Sequence, residues 1–217
     1  MNLQLLKEAA AKAALDYIKP GVVLGIGSGS TVNCFIDALK YVKGKIDAVV
    51  VSSSVSAAKI KEIGIPIVDL NTVSELEIYV DGADEINNLK QMIKGGGGAL
   101  THEKIVASVS KKFICIADKT KLVETLGNFP IAVEVLPIAR SYVARQIVKM
   151  GGDPIYREGF VTDNGNVILD IYNLKVLAPL SLEEKLNNIT GIVCNGIFAS
   201  RPADILLLAG YKGIEVL

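Results

Sequence analysis

Hydrophobic and polar positions alternate between two periods along most of the chain. Leu6, Ala10, Ala13 and Tyr17 share one face of a helix predicted over 3–18, and Pro20-Gly21 ends it. From there the pattern becomes strand, short polar loop, helix. Val22 to Ile26 is a short apolar run followed by Gly27-Ser28-Gly29-Ser30-Thr31, and Val32, Phe35, Ile36 and Leu39 then recur at helical spacing. Ala48 to Val51 is the next apolar run, with Ser52 to Ser54 behind it and a helical stretch through Glu62. Ile65–Val68 and Leu76–Val80 read as further strands, Leu100–Val109 as a helix and Phe113–Ala117 as a strand. Strands and helices in alternation predict a Rossmann-like, mostly parallel sheet covered on both faces.

The pattern changes after Gly127-Asn128. Ile131–Val135 reads as a strand and Ile138–Met150 as a helix ended by Gly151-Gly152. Pro154–Arg157 and Val167–Tyr172 are strands around a turn at Asp163-Asn164-Gly165, followed by a helix over Leu182–Ile189 and a strand over Ile192–Phe198. That order, β-α-β-β-α-β, is the ferredoxin-like arrangement. The apolar run Ile205–Leu208 is expected to return to the first sheet. The fold class expected is α/β, with one α/β domain over 1–127 and 200–217 and a small ferredoxin-like α+β domain over 128–199 inserted near the C-terminal end.

Ligands of open α/β sheets bind outside the carboxyl ends of the strands. The polar clusters Ser28–Thr31, Ser52–Ser54, Asp81–Glu85 and Asp118–Lys121 each follow an apolar run, and Lys94-Gly95-Gly96-Gly97-Gly98 follows a stretch ending at Ile93. In a parallel sheet these five loops are expected along one edge, around one cleft. A dinucleotide site does not fit the first of them: Ser30 stands where G-x-G-x-x-G needs its third glycine, and the next strand ends in serines instead of a ribose-binding acid. A Gly/Ser loop at a helix start still offers backbone N–H groups to a phosphate or sugar hydroxyl, with Ser30 or Thr31 as helix cap. Four consecutive glycines before a helix are costly in chain entropy; a flexible linker is one reading, but apolar residues on both sides, Ile93 and Ala99-Leu100, favour close approach of bare backbone to an anionic ligand. No Gly-Lys-Ser/Thr follows them, so this is not a P-loop.

Asp81, Asp84 and Glu85 form a tight acidic group just behind an apolar run. A magnesium site, a solvated turn and a partly dry pair of carboxylates serving as a general base are all compatible with that spacing. Glu103 lies in the first turn of the helix after the glycines, where an acid also complements the helix dipole. His102, the single histidine, is turned about 100° of helix rotation from Glu103 and reads as a helix surface residue. No His/Cys spacing for zinc occurs.

Composition narrows the class of partner. Acidic and basic side chains balance at 23 each, which gives no electrostatic reason to expect nucleic acid or an anionic membrane. No apolar run approaches the roughly 18 residues needed to span a bilayer. Lys7 and Glu8 interrupt the first apolar residues, so no signal peptide is expected. Cys34, Cys115 and Cys194 are far apart among apolar neighbours and read as buried reduced thiols. A soluble, cytoplasmic protein is expected.

Gly25-Ile26-Gly27-Ser28-Gly29-Ser30-Thr31, Ser52-Ser53-Ser54, Asp81-Gly82-Ala83-Asp84-Glu85, Lys94-Gly95-Gly96-Gly97-Gly98-Ala99-Leu100, Glu103-Lys104, Asp118-Lys119-Thr120-Lys121 and Pro130-Ile131-Ala132-Val133-Glu134-Val135 occur in one order and spacing. Together they resemble the type A ribose-5-phosphate isomerase family, from about residue 5 onward. Two positions depart from the family pattern: Ser28 stands where threonine is usual, and His102 where arginine is usual. The resemblance implies an aldose–ketose isomerase that interconverts D-ribose 5-phosphate and D-ribulose 5-phosphate through an enediolate. It implies Glu103 as the base, Lys94 as the cation at the developing oxyanion, and Asp81 and Asp84 as holders or shuttles of hydroxyl protons. Ser28, Gly29, Ser30, Thr31, Asp81, Gly82, Ala83, Asp84, Lys94, Gly95, Gly96, Gly97 and Lys121 are the substrate-binding positions it implies. It further implies no metal and no nucleotide cofactor, a small-molecule pentose phosphate as partner, and a homodimer or homotetramer. An aminosugar-phosphate deaminase-like enzyme and a non-catalytic sugar-phosphate sensor are the alternatives. A sensor would be expected to carry a helix-turn-helix, and only one helix is predicted before Val22.

Overall fold

Pairing sorts the apolar runs into three sheets. The computed structural model describes residues 2–217. In chain order the first elements are α1 (Leu3–Ala14), β1 (Val22–Ile26), α2 (Ser30–Leu39), β2 (Ile46–Val51), α3 (Ser54–Ile63) and β3 (Leu76–Asp81). Two short strands follow, β4 (Glu85–Ile86) and β5 (Met92–Ile93), then α4 (Leu100–Ser108), β6 (Ser110–Asp118), β7 (Ile131–Val135) and α5 (Arg140–Lys149). The remaining elements are β8 (Asp153–Tyr156), β9 (Val167–Tyr172), α6 (Pro179–Asn187), β10 (Ile192–Asn195), β11 (Ile197–Phe198), β12 (Ile205–Gly210) and β13 (Gly213–Val216).

The chain divides into two compact units. The first takes the residues up to Ala83 with His102–Leu122 and Ala203–Leu217. Its six-stranded sheet has the order β13-β12-β6-β3-β1-β2, parallel throughout except for β13, which runs antiparallel at the edge. Counting the parallel strands alone, the order is 2-1-3-4-5, a doubly wound sheet whose connections reverse between β1 and β3. Leu24, Ile26, Val49, Ile78, Val80, Ile114, Ile116 and Leu207 from these strands share one core cluster with α1 and α2. On α1 the buried residues are Leu6 and the small Ala10, Ala11 and Ala14, whose short side chains allow the helix to lie close to its neighbours. Asn2 caps that helix by accepting from Gln4 N–H at 3.0 Å.

The second unit takes Asp84–Thr101 and Val123–Pro202. Its four-stranded antiparallel sheet has the order β10-β7-β9-β8, which is 4-1-3-2 for the predicted β-α-β-β-α-β run and therefore ferredoxin-like. Ile131, Val133, Val135, Leu169 and Ile171 from the sheet pack with Val143 and Ile147 of α5 and Leu186 of α6. A second antiparallel sheet, β11-β5-β4, belongs to the same unit.

Three expectations differ from what forms. The segment Asp84–Thr101, grouped with the α/β domain by its position in the sequence, goes with the second unit because β5 pairs with β4 and β11 and Lys94 N–H donates to Gly196 O at 2.9 Å. Ile65–Val68 makes only an isolated bridge, Val49 to Ile67, since Pro66 supplies no N–H for a ladder. Ile192–Phe198 is two strands in two sheets, divided at Gly196, whose N–H still donates to Ala132 O of β7 at 2.8 Å while its carbonyl accepts from Lys94 N–H at 2.9 Å. Cys115 and Cys194 are buried and Cys34 is half-buried, all three as free thiols.

Glu134 on β7 is buried and ties the second unit together. Its carboxylate accepts from Thr162 Oγ1 at 2.8 Å, Asn164 Nδ2 at 3.0 Å, Asn166 Nδ2 at 2.8 Å and from the Thr101 hydroxyl. Burial pushes its pKa up, yet the donors Thr101, Asn166, Thr162 and Asn164 together outweigh burial and hold it below the ordinary carboxylate value. Its stabilising contribution is therefore fully present above the ordinary value and is lost as pH falls through the lowered one. Glu134→Gln is expected to lower the unfolding free energy by about 2–3 kcal/mol near neutral pH. Denaturant unfolding at a series of pH values should show the gap to wild type closing below the carboxylate range, and a gap independent of pH would contradict this.

Candidate active site

The doubly wound order puts four of the predicted loops at one sheet edge. Gly27–Thr31 follows β1, Ser52–Ser54 follows β2, Asp81–Ala83 ends β3 and Asp118–Lys121 ends β6, all at the C-terminal ends of parallel strands. The fifth, Lys94–Gly98, follows β5 of the antiparallel sheet in the second unit and not a strand of this sheet. The predicted site residues thus form two groups, each held within its own unit. The chain itself links them, through the Ala83–Asp84 bond and through α4, whose Thr101 and Glu103 fall in different units.

In the first unit the loops after β1 and β3 meet where the sheet reverses. Asp81 is fully buried and its carboxylate collects donors: Tyr79 Oη at 2.5 Å on Oδ2, and Gly82 N–H at 2.7 Å and Ser28 N–H at 3.1 Å on Oδ1. Burial, then the adjacent Asp81 charge, raises the Tyr79 phenol well above its ordinary pKa, so Tyr79 is a neutral donor to an anion. Ser28 uses its backbone for Asp81 and its hydroxyl for Glu103, donating to Oε1 at 2.6 Å. Glu103 is itself only 3 % exposed. One serine therefore couples the two carboxylates. Gly27 must be glycine for this, since a Cβ there would overlap the Asp81 carboxyl group.

The serines after β2 serve the same loop. Ser53 caps α3 by accepting from Ser56 N–H at 3.1 Å, and Ser56 Oγ donates to Gly27 O at 2.7 Å. At the start of α2 the cap is Gly29, with φ 99° and no side-chain cap, so neither Ser30 nor Thr31 takes the capping role expected of them. That leaves the first-turn N–H groups of α2 uncovered by side chains, as an anion-binding helix start requires. Lys7 reaches this point from α1, its Nζ donating to Ser30 Oγ at 2.9 Å. Sequence reading missed Lys7, which stands 23 residues from Ser30 on a face read only as amphipathic. Lys121 lies in a one-turn 3₁₀ helix capped by Asp118, which accepts from Thr120 N–H at 3.0 Å. His102 is half-buried on α4.

The second group holds Lys94, Gly95, Gly96, Gly97 and Asp84. Lys94 is 3 % exposed, with its ammonium 5.6 Å from the centre of the Phe198 ring, so a cation sits in a dry setting. Asp84 Oδ2 accepts from Gly96 N–H at 2.8 Å, and Asp84 N–H donates to Ile93 O. Glu85, the third acid of the cluster, is occupied structurally by Gly127 N–H at 2.7 Å and Phe129 N–H at 2.6 Å. With Asp81 and Glu85 both filled by protein N–H and O–H donors, the acidic group does not fit a magnesium site; among the described residues no cluster of three metal-ligating side chains occurs.

The family profile described as ribose 5-phosphate isomerase A (phosphoriboisomerase A) matches residues 48–213. This chain belongs to that family. A solved ribose 5-phosphate isomerase A from Neisseria gonorrhoeae is 47 % identical, with a TM-score of 0.98 over 100 % of this chain and 97 % of that one. The enzyme from Methanocaldococcus jannaschii is 36 % identical, with a TM-score of 0.93 over 100 % and 99 % of the two chains. A D-ribose-5-phosphate isomerase solved in complex with phospho-erythronic acid is also 36 % identical, with a TM-score of 0.94 over 100 % and 99 %.

Gly27→Ala tests the close approach directly. It is expected to cost about 1–3 kcal/mol of stability, as overpacking does. Gly44→Ala, where an added Cβ meets nothing within 4 Å, should leave thermal unfolding unchanged. Equal stability of the two variants would contradict the geometry.

Proposed function

We propose that the chain isomerises D-ribose 5-phosphate and D-ribulose 5-phosphate, with Glu103 as the base. The observation that carries this is the buried Glu103 carboxylate, held by the Ser28 hydroxyl at the reversal point of a doubly wound sheet in a chain of this family. In the open-chain aldose, Glu103 takes the proton from C2, and the electrons left behind make the enediolate with its charge on the former aldehyde oxygen. Once the O2 hydroxyl proton has passed to O1, the protonated Glu103 returns its proton to C1 and O2 becomes the carbonyl, giving the ketose. Geometry limits which atoms a proton must cross, and a positioned carboxylate contributes typically about 10²–10⁴-fold.

The other roles follow from what each group is already doing. Lys94, a desolvated cation, stabilises the enediolate oxygen, where such a charge is worth several kcal/mol. Asp81, whose oxygens take Tyr79, Ser28 and Gly82, orients the substrate-facing loops; Asp84, half-buried, moves hydroxyl protons between O1 and O2 and assists ring opening. Ser28, Gly29, Ser30 and Thr31 at the uncapped start of α2, with Lys7 and Lys121 as cations, receive the phosphate. Gly82, Ala83, Gly95, Gly96 and Gly97 line the substrate with bare backbone, the N–H groups of Gly82 and Gly96 being given to Asp81 and Asp84. Lysine and backbone dipoles take the part a Lewis acid would otherwise play, so the reaction is proposed to need no metal.

A cytoplasmic homodimer or homotetramer completes the proposal. Large apolar side chains exposed on the second unit, Ile138, Leu177 and Val148 among them, offer a second copy surface to cover. No helix among the described residues is long and apolar enough to cross a membrane.

Ribulose 5-phosphate formation from ribose 5-phosphate, followed with excess EDTA present, tests the reaction and the base together. Wild-type turnover is expected to be unchanged by EDTA and to fall by about 10² or more in Glu103→Gln. A wild type that binds phospho-erythronic acid yet does not isomerise would overturn the proposal.

A further inference from the structure

The tetraglycine run is held from behind by a residue that no motif singles out. Arg157 follows β8, and Asp170 on β9 orients its guanidinium through a fork: Nε donates to Asp170 Oδ2 at 2.8 Å and Nη2 to Oδ1 at 2.5 Å. The same guanidinium turns its remaining donors on the glycine loop, Nη1 to Gly96 O and Nη2 to Gly95 O, both at 3.2 Å. Arg157 and Asp170 are 19 % and 14 % exposed, so water competes weakly for these bonds. Phe160 completes the arrangement: its ring lies 5.3 Å from the guanidinium centre and occupies the space beside Gly98 that a Cβ would need.

We infer that Arg157, oriented by Asp170, is a positioning residue that fixes the Gly95–Gly98 loop for ligand binding. The loop is pinned on both of its polar sides. Arg157 takes the Gly95 and Gly96 carbonyls, Asp84 takes the Gly96 N–H, and Gly98 N–H closes back on Gly95 O at 2.9 Å. With φ of 109° at Gly95 and 78° at Gly98, the backbone adopts a path only glycine takes readily, and a flexible four-glycine run needs such external ties to hold one conformation. Turning the carbonyls toward a cation also keeps their negative ends away from an anionic ligand on the opposite side of the peptide planes. Lysine cannot replace the fork, because a single ammonium cannot satisfy a bidentate carboxylate and two carbonyls in this geometry. The inference rests on the proposed role of Gly95, Gly96 and Gly97 in substrate binding.

Four readouts on wild type, Arg157→Lys, Arg157→Ala and Asp170→Asn separate this role from a purely structural one. Amide hydrogen exchange over the peptide containing Gly95–Gly98 should accelerate in all three variants. The affinity for phospho-erythronic acid should weaken, and kcat/KM for ribose 5-phosphate should fall by about 10²-fold in Arg157→Ala, the scale of a small misplacement of binding groups. Millimolar guanidinium chloride should restore part of the loss in Arg157→Ala and none in Asp170→Asn. Should Arg157→Ala not fold, Arg157→Lys decides by the same exchange and affinity measurements. A folded Arg157 variant with wild-type exchange, affinity and kcat/KM overturns the inference. Weakened phospho-erythronic acid binding and faster loop exchange, in a protein whose wild type does not isomerise ribose 5-phosphate, support the clamp while sinking the isomerase proposal.

Discussion

The buried carboxylate of Asp81 is the interaction on which the first unit's site depends. A carboxyl group with no exposure is tolerated only when hydrogen-bond partners surround it, and here those donors come from its own strand (Tyr79), its own loop (Gly82) and the neighbouring strand's loop (Ser28). Satisfying the charge therefore draws the ends of β1 and β3 together at the point where the sheet's connections reverse. Ser28, held there by its backbone, has its hydroxyl left for Glu103 on α4. The position of the proposed base thus follows from satisfying a buried carboxylate one strand away.

Glycines pay for their conformational cost at different points of this arrangement for different reasons. Gly27 makes room for the Asp81 carboxyl, and Gly29 lets α2 begin without a side-chain cap. The glycines after Lys94 instead follow a path that outside groups must hold, with Asp84 on one side and Arg157 on the other. In the second unit Glu134 does for the loop 162–166 and for Thr101 what Asp81 does for the first unit's loops. In each unit a buried carboxylate gathers donors from several segments.

Much of this was legible in the sequence because it rests on period and position. Apolar runs followed by polar loops gave the parallel sheet and the edge carrying Ser28, Asp81 and Lys121, and the β-α-β-β-α-β order gave the ferredoxin-like sheet. What sequence could not give depends on partners distant along the chain. Met92–Ile93 is too short a run to reveal that it pairs with Ile197–Phe198, so position in the sequence groups Asp84–Thr101 with the α/β domain while its contacts group it with the second unit. Lys7 and Arg157 carry no local motif; each is recognisable only by what it reaches, Ser30 in one case and the Gly95 and Gly96 carbonyls in the other. Tyr79 read as part of an apolar strand, and only its hydroxyl on Asp81 distinguishes it from a core phenylalanine.

Tyr79→Phe is the most direct measurement, since it removes one oxygen and keeps the ring against Phe113. Taking a donor from the buried Asp81 carboxylate is expected to lower unfolding stability by about 1–3 kcal/mol. The same change should reduce kcat for ribose 5-phosphate by about tenfold or more while KM changes little, as when an interaction realised in the transition state is weakened. A Tyr79→Phe protein with wild-type stability and wild-type kcat would contradict the claim that the Asp81 carboxylate and its donors set the site.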